Sequence, residues 1–493
     1  MKILLAAAEV NPFAKTGGLA DVTEALPIEW DNLGHEAIVV MPKHKIINTN
    51  MHKFQRTDMS LEIKMGFSIE KCGVWQGKFP NSNAKVYLIE HDDYFHRDGI
   101  YGDPHEYFDN DRRFIFFSRS VFELAKELKF KPDILHAHDY HTAFCMPFLS
   151  SIYRKEEFFK KTAGVFTIHN LAYQGKYNPY RAMDFSSFGM KEFYPNSWFE
   201  HDGLVNSLKI GILFADKVTT VSPNYAQEIR MPYYSESLQD VLNEKGADLI
   251  GVLNGVFYEE WSPEKDEFIY NNYTPDKLEI KKQNKYEFLK GEGLREDDDF
   301  DIPLFGMVTR LTEQKGIDIL KEKLEFYIEN KKIRFAIIGS GEQQYMDYFQ
   351  YLKWKYPKQA FVNIGYDNIH AHRIIACSDF LMVPSRFEPC GLTQMYALKY
   401  ATIPLVRETG GLADTVEEYL PETQKGTGFV FQNYDKDDLF YAVDRSLSLY
   451  KDKRHWDKIR ANATKKDFSS ERSAKEYLQV FGWALEKVAM IKK

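Results

Sequence analysis

The chain has 493 residues, 44% of them hydrophobic and 28% charged, which excludes a disordered or fibrous protein and supplies apolar material for large cores. At ~100–200 residues per domain, two or three domains are expected rather than one. With 64 basic against 72 acidic side chains the formal charge is −8, so no general electropositive field is available for nucleic acid or an anionic membrane.

The apolar start, residues 3–8, stops at Glu9, too short for the core of a signal peptide, and reads as a strand. With Gly17-Gly18, a helical stretch over 19–33 and an apolar run at 37–41 it makes a βαβ unit. Further strands are expected at 86–89, 134–137, 164–168 and 217–221, most running into polar turns that contain Gly or His. Short apolar runs between amphipathic segments imply a parallel sheet covered on both faces, which places its ligands at the strand ends. A second series follows at 303–308, 334–338, 360–364, 380–383 and 402–406, with helices over 343–356 and 370–376. The alternation thus occurs twice, with a divide near 249–254. Residues 264–301, including the acidic run 296–299, read as a solvated loop or helix. The tail from about 470 reads as an amphipathic helix with Tyr477, Val480, Phe481, Trp483, Ala484 and Val488 on its apolar face.

No run approaches the ~18 apolar residues needed to span a bilayer, and Cys72, Cys145, Cys377 and Cys390 are too scattered for a disulfide framework. A cytoplasmic protein in a reducing compartment is the expectation.

Several strings could carry chemistry. Lys15-Thr16-Gly17-Gly18-Leu19-Ala20-Asp21 opens a helix, where paired glycines admit a ligand to the backbone, free N–H groups meet an anion and Lys15 adds a charge. An ordinary turn is the plainer reading of the glycines alone, but Thr409-Gly410-Gly411-Leu412-Ala413-Asp414 repeats them in the second half, which suits a substrate with a phosphate chain. Arg310 and Lys315 enter a helix after the strand at 303–308 and could grip a diphosphate from two directions, although isolated surface cations are commonly just solvated. Glu388, followed by Pro389, Cys390 and Gly391, stands at the mouth of the second sheet; it is either functional or a complement to a helix dipole. Cys390 reads as packing rather than as a nucleophile. His136, His138, Asp139 and His141 do not match a zinc ligand set, and His169 sits at a strand's carboxyl end.

Together these strings resemble the bacterial and plant-type glycogen (starch) synthases, retaining glycosyltransferases of the GT-B fold. The resemblance rests on KTGGLADV (15–22), GIYGD (99–103), HAHDYHTA (136–143), FTIHNLAYQG (166–175), ADKVTTVSPNYAQEI (215–229), GVLNGV (251–256), RLTEQKG (310–316), PSRFEPCGLTQMYAL (384–398) and TGGLADTV (409–416). It implies an α/β architecture of two Rossmann-like, doubly wound parallel-sheet domains facing an interdomain cleft. The glucan-acceptor domain would cover 1–250 and the nucleotide-sugar domain 251–470, with helix 471–493 packing back on the first. The implied reaction moves glucose from ADP-glucose to the non-reducing end of an α-1,4-glucan with retention, without metal or cofactor. The same reaction from UDP-glucose, or a non-catalytic glucan-binding protein, are the alternatives.

By the same resemblance Glu388, Lys15, Arg310, Lys315, His169 and Asp139 form the catalytic set. Donor binding falls to Lys15, Gly17, Gly18, Asp21, Asn254, Arg310, Lys315, Tyr366, Glu388, Cys390, Gly391, Leu392 and Thr393, with Tyr366 stacking on the adenine ring. Two departures stand out: Tyr396 occupies the position where related transferases carry a second, ribose-contacting glutamate, and Tyr140 replaces the usual Trp of HDWH.

Overall fold

A computed structural model describes residues 1–80, 82–102, 105–294, 300–330 and 332–490. The chain divides into two units, one formed by Met1–Gly255 with Ser470–Lys493 and the other by Val256–Ser469.

In the first unit the strands are β1 (Lys2–Ala6), β2 (Glu36–Pro42), β3 (Gln55–Met65), β4 (Ser68–Lys78), β5 (Lys85–Glu90), β6 (Ile134–His138), β7 (Ala163–Ile168), β8 (Lys176–Tyr177), β9 (Glu200–His201), β10 (Leu204–Asn206), β11 (Lys217–Thr220) and β12 (Leu249–Gly251). The main sheet has the order β12-β11-β7-β6-β1-β2-β5-β4-β3, while β8, β10 and β9 make a small antiparallel sheet. Strand β1 is central, with Leu5 opposite Val39 on one side and His136 on the other. Strands β6 and β7 are buried at every position, as strands covered on both faces are, His136 and His138 of β6 included.

The hairpin β3–β4 adds antiparallel pairing to the parallel sheet expected from the sequence. Its strands meet across the tight turn Gly66-Phe67, and Leu61, Ile63 and Met65 alternate inward, the period of a half-buried strand.

The tail folds as a helix, Ser470–Met490, with Tyr477, Val480, Phe481, Ala484 and Val488 buried. Trp30 lies against it: its Nε1 donates to the Ala474 carbonyl at 3.2 Å and its ring is 5.2 Å from Phe481. Trp483 departs from the expected apolar face and is 46% exposed. At 3.6 residues per turn it lies roughly 120° around from the buried stripe. Residues 491–493 lie outside the described residues.

In the second unit β13 (Leu304–Val308), β14 (Arg334–Gly339), β15 (Ala360–Ile364), β16 (Phe380–Val383), β17 (Ile403–Arg407) and β18 (Phe429–Phe431) form one sheet in the order β15-β14-β13-β16-β17-β18. Every neighbouring pair is parallel. At its centre Phe305 pairs with Phe380, their rings stacked at 4.7 Å. The described part of segment 264–301 is less solvated than its composition suggested, because helix Lys281–Gly291 buries Phe288, Leu289, Lys281 and Lys285, the last two donating from their ammonium groups to the Ala376 carbonyl and to Asp379 Oδ2, each at 2.6 Å. The acidic run 296–299 lies outside the described residues.

With the β3–β4 hairpin set aside, both sheets reverse their building direction once, between β1 and β6 and between β13 and β16. Loops leaving the carboxyl ends of two such strands diverge to opposite faces and open a crevice, the usual ligand position of an open α/β sheet.

Candidate functional site

The loops at these two reversal points carry most of the residues singled out in the sequence. In the first unit the chain leaves β1 and reaches helix Gly18–Asn32 through Lys15, Thr16 and Gly17. Lys15 Nζ donates to Asp21 Oδ1 at 2.5 Å, so the loop's cation is paired with the first-turn carboxylate. Burial raises the Asp21 carboxyl above its ordinary range, and Lys15 partly offsets this.

Two amides of this loop, those of Thr16 and Gly17 ahead of the helix, are taken by a side chain and so are closed to an anion. Buried Glu9 accepts the N–H of Thr16 at 2.5 Å and of Gly17 at 3.1 Å on Oε2, and the Thr16 hydroxyl at 2.6 Å on Oε1. The Tyr101 hydroxyl also donates to Oε1.

On the other side of the crevice β6 delivers Asp139, whose backbone is left-handed with φ +56°. Its Oδ1 accepts the His169 N–H at 2.7 Å, tying the end of β6 to the end of β7. Burial raises the Asp139 carboxyl to about 7. His169 Nε2 lies 2.8 Å from His138 Nδ1, and His136 Nε2 lies 2.7 Å from Thr167 Oγ1. Burial lowers His169 and His136 to about 3, so both imidazoles are neutral near pH 7 and His169 can act there as a hydrogen-bonding group, not as a cation. Among the described residues no group of three or more His, Cys, Asp or Glu side chains could hold a metal ion. Asn254, beyond β12, is buried with its side-chain oxygen unpartnered among the described residues.

In the second unit the loop after β13 carries Arg310 and Lys315, and the loop after β16 carries Glu388. The structure brings them together: Lys315 Nζ and Ser385 Oγ both donate to Glu388 Oε2, at 2.6 Å and 2.9 Å. Arg310 reaches Gln314 Oε1 at 3.3 Å, and the Arg386 N–H donates to the Gln314 carbonyl at 2.8 Å, stitching the two loops. Gly316, with φ +77°, ends the turn that presents Lys315; a Cβ there would lie 2.1 Å from the Pro384 carbonyl oxygen. Tyr366, after β15, is 76% exposed, its hydroxyl 3.0 Å from Asn368 Oδ1. Cys390 is buried, and Gly391 (φ +72°) and Leu392 lead into the helix that starts at Thr393. Tyr396 packs instead of facing a ligand, its ring stacked on Trp261 at 4.0 Å and 2°.

The two TGGLAD strings are not structurally equivalent. Gly17 is extended (φ −155°) with nothing within 4 Å of a Cβ position, whereas Gly410 is left-handed (φ +45°) and its Cβ would lie 1.8 Å from the Glu388 carbonyl oxygen. The first copy closes on a carboxylate and the second on the backbone that carries Glu388, where the Gly411 N–H donates to that carbonyl at 3.1 Å. Sequence reasoning missed Glu9, Tyr101 and Ser385, and weighed His138 only as a metal ligand. The one signal for Glu9 was an acid ending an apolar strand just before the glycine loop.

The starch synthase catalytic domain model matches residues 2–244, and the model for glycosyl transferases group 1 matches residues 295–466. A glycogen synthase of Thermosipho africanus is 44% identical over 99% of this chain and 100% of its own, and one of Bacillus subtilis is 40% identical over 98% of each. The chain belongs to the glycogen synthase family. As a glycogen synthase family member it is a glycosyltransferase of the GT-B fold. A solved relative, the catalytic domain of starch synthase IV from Arabidopsis thaliana bound to ADP and acarbose, superposes with a TM-score of 0.90 at 31% identity, covering 98% of this chain and 99% of that one. Among the described residues no helix is long and apolar enough to cross a membrane.

Proposed function

We propose that this glycosyltransferase moves glucose from ADP-glucose to the non-reducing end of an α-1,4-glucan, with retention of configuration and without a metal or cofactor, in the cytoplasm. The observation that carries the reading is the Lys315–Glu388 pair at the β13/β16 reversal, a cation and a carboxylate held 2.6 Å apart where an open sheet binds its ligand. The solved Arabidopsis relative bound to ADP favours adenine over uracil in the donor.

In this reading the second unit binds the nucleotide sugar and the first the glucan. Breaking the C1–O bond leaves a diphosphate anion and an oxocarbenium-like sugar, so fixed positive charge aimed at the departing oxygens is the largest available help. In the second unit Arg310 and Lys315 supply it in place of a divalent cation, and the family resemblance gives Lys15 a donor-binding role as well. Glu388 holds Lys315 and faces the donor sugar, while neutral His169 and Asp139 position the sugar hydroxyls. In the second unit Cys390, Gly391, Leu392 and Thr393 line the donor and Tyr366 stacks on the base; the family resemblance also gives donor contacts to Asn254, Gly17, Gly18 and Asp21. The acceptor hydroxyl attacks from the face the diphosphate leaves: its oxygen bonds to C1 as the C1–O bond to phosphate breaks, and its proton passes to the departing phosphate.

Purified protein incubated with glycogen and labelled ADP-glucose should incorporate label equally with and without a chelator, and far less from UDP-glucose. Equal use of UDP-glucose would move the donor, and chelator sensitivity would end the metal-free account. Incorporation from neither donor would leave a glucan-binding protein.

A further inference from the structure

Neither Glu9 nor Tyr101, the aromatic of the GIYGD string, has a part in the transfer as proposed. Glu9 is 3% exposed, and both of its oxygens are fully engaged. Oε2 takes the two loop amides of Thr16 and Gly17, and Oε1 takes two hydroxyls, those of Thr16 and Tyr101. A carboxylate has about four acceptor positions, so this one is saturated. Its own backbone is pinned as well, because Thr23 Oγ1 on the following helix donates to the Glu9 carbonyl at 2.7 Å. Tyr101 is clamped from behind by His141, whose ring stacks on it at 4.4 Å. Burial holds the Tyr101 phenol well above its ordinary range, which keeps it protonated and donating.

We propose that Glu9 is a positioning residue of the transfer reaction, holding the loop that carries Lys15 against the end of β1, with Tyr101 as its second anchor. This rests on the donor-binding role proposed for Lys15. The loop has no cap from a side chain of its own helix. Without Glu9 the amides of Thr16 and Gly17 lose their acceptor, and Lys15, the residue just before them, loses its fixed starting point.

The test is a double-mutant cycle read as kcat/KM for ADP-glucose. Glu9→Ala should lower it about 100-fold, the loss expected when a reacting group shifts by about 1 Å. Tyr101→Phe should lower it about 10-fold, since a single anchor is removed and two amides stay bound. Glu9→Gln should stay within a few-fold of the parent: its amide oxygen can accept both N–H groups and its NH2 can donate to the two hydroxyls, which turn to accept. In a Lys15→Ala background, Glu9→Ala and Tyr101→Phe should each cost little more, because both act through Lys15. Should Glu9→Ala fail to fold, the Tyr101→Phe by Lys15→Ala cycle decides alone. Parental activity in Glu9→Ala and Tyr101→Phe, losses that simply add to that of Lys15→Ala, or Glu9→Gln as impaired as Glu9→Ala would each overturn the inference. A parental protein inactive with either sugar nucleotide would instead remove the proposed function.

Discussion

Gly410→Ala probes how the Glu388 loop is held in place. The new Cβ would stand 1.8 Å from the Glu388 carbonyl oxygen and 2.8 Å from its carbon, and both are backbone atoms that no rotamer change can move aside. The φ of +45° adds about 1 kcal/mol for a non-glycine residue. Relieving the contact requires the two backbones to part by roughly 1 Å, and overpacking of this kind costs about 1–3 kcal/mol. The displacement falls on the residue whose carboxylate meets Lys315 at 2.6 Å, and a shift of that size at a reacting group costs about 100-fold in rate. Glucose incorporation from labelled ADP-glucose, together with a thermal melt, measures both effects. The matched control is Gly17→Ala, the same position in the first TGGLAD string, where nothing lies within 4 Å and φ is −155°. Its melting temperature should equal the parent's while that of Gly410→Ala falls. Parental kcat/KM and an unchanged melt for Gly410→Ala would refute the reasoning.

Three further outcomes follow from the same geometry. Lys315→Ala should cut kcat about 10²–10³-fold, the scale for losing one preorganised charge, with folding checked by circular dichroism. Tyr366→Ala should raise KM for ADP-glucose about 10-fold, since base–aromatic stacking is worth about 1–3 kcal/mol, and should leave the melting temperature unchanged because the side chain is 76% exposed. For Asp139→Asn the prediction concerns stability: burial lifts the folded carboxyl from its ordinary 3.8 to about 7, so the folded state holds the extra proton between them and the parent loses stability as pH rises through that window. The variant has no such loss, so its stability relative to the parent should climb between about pH 4 and pH 8, by up to about 4 kcal/mol in urea titrations. A flat difference would count against the burial of the charge.

What the sequence revealed and what it hid divide along one physical line. Strands β6, β7 and β13–β17 could be read because a fully buried parallel strand is a short apolar run, a local property, and the residues that follow such runs, Asp139, His169, Arg310 and Glu388, could be marked from it. Strand order is not local. Nothing in Leu304–Val308 announces that it pairs with Phe380–Val383, yet that pairing sets Lys315 against Glu388. The Glu9 clamp was hidden for the same reason, since one of its donors, Tyr101, is 92 positions away. Six identical letters, TGGLAD, give an extended glycine facing open space at one site and a left-handed glycine pressed on a carbonyl at the other. The hexapeptide supplies conformational freedom, and the group opposite it, the Glu9 carboxylate or the Glu388 backbone, decides how that freedom is used. A repeated glycine motif therefore does not say by itself whether another backbone approaches it.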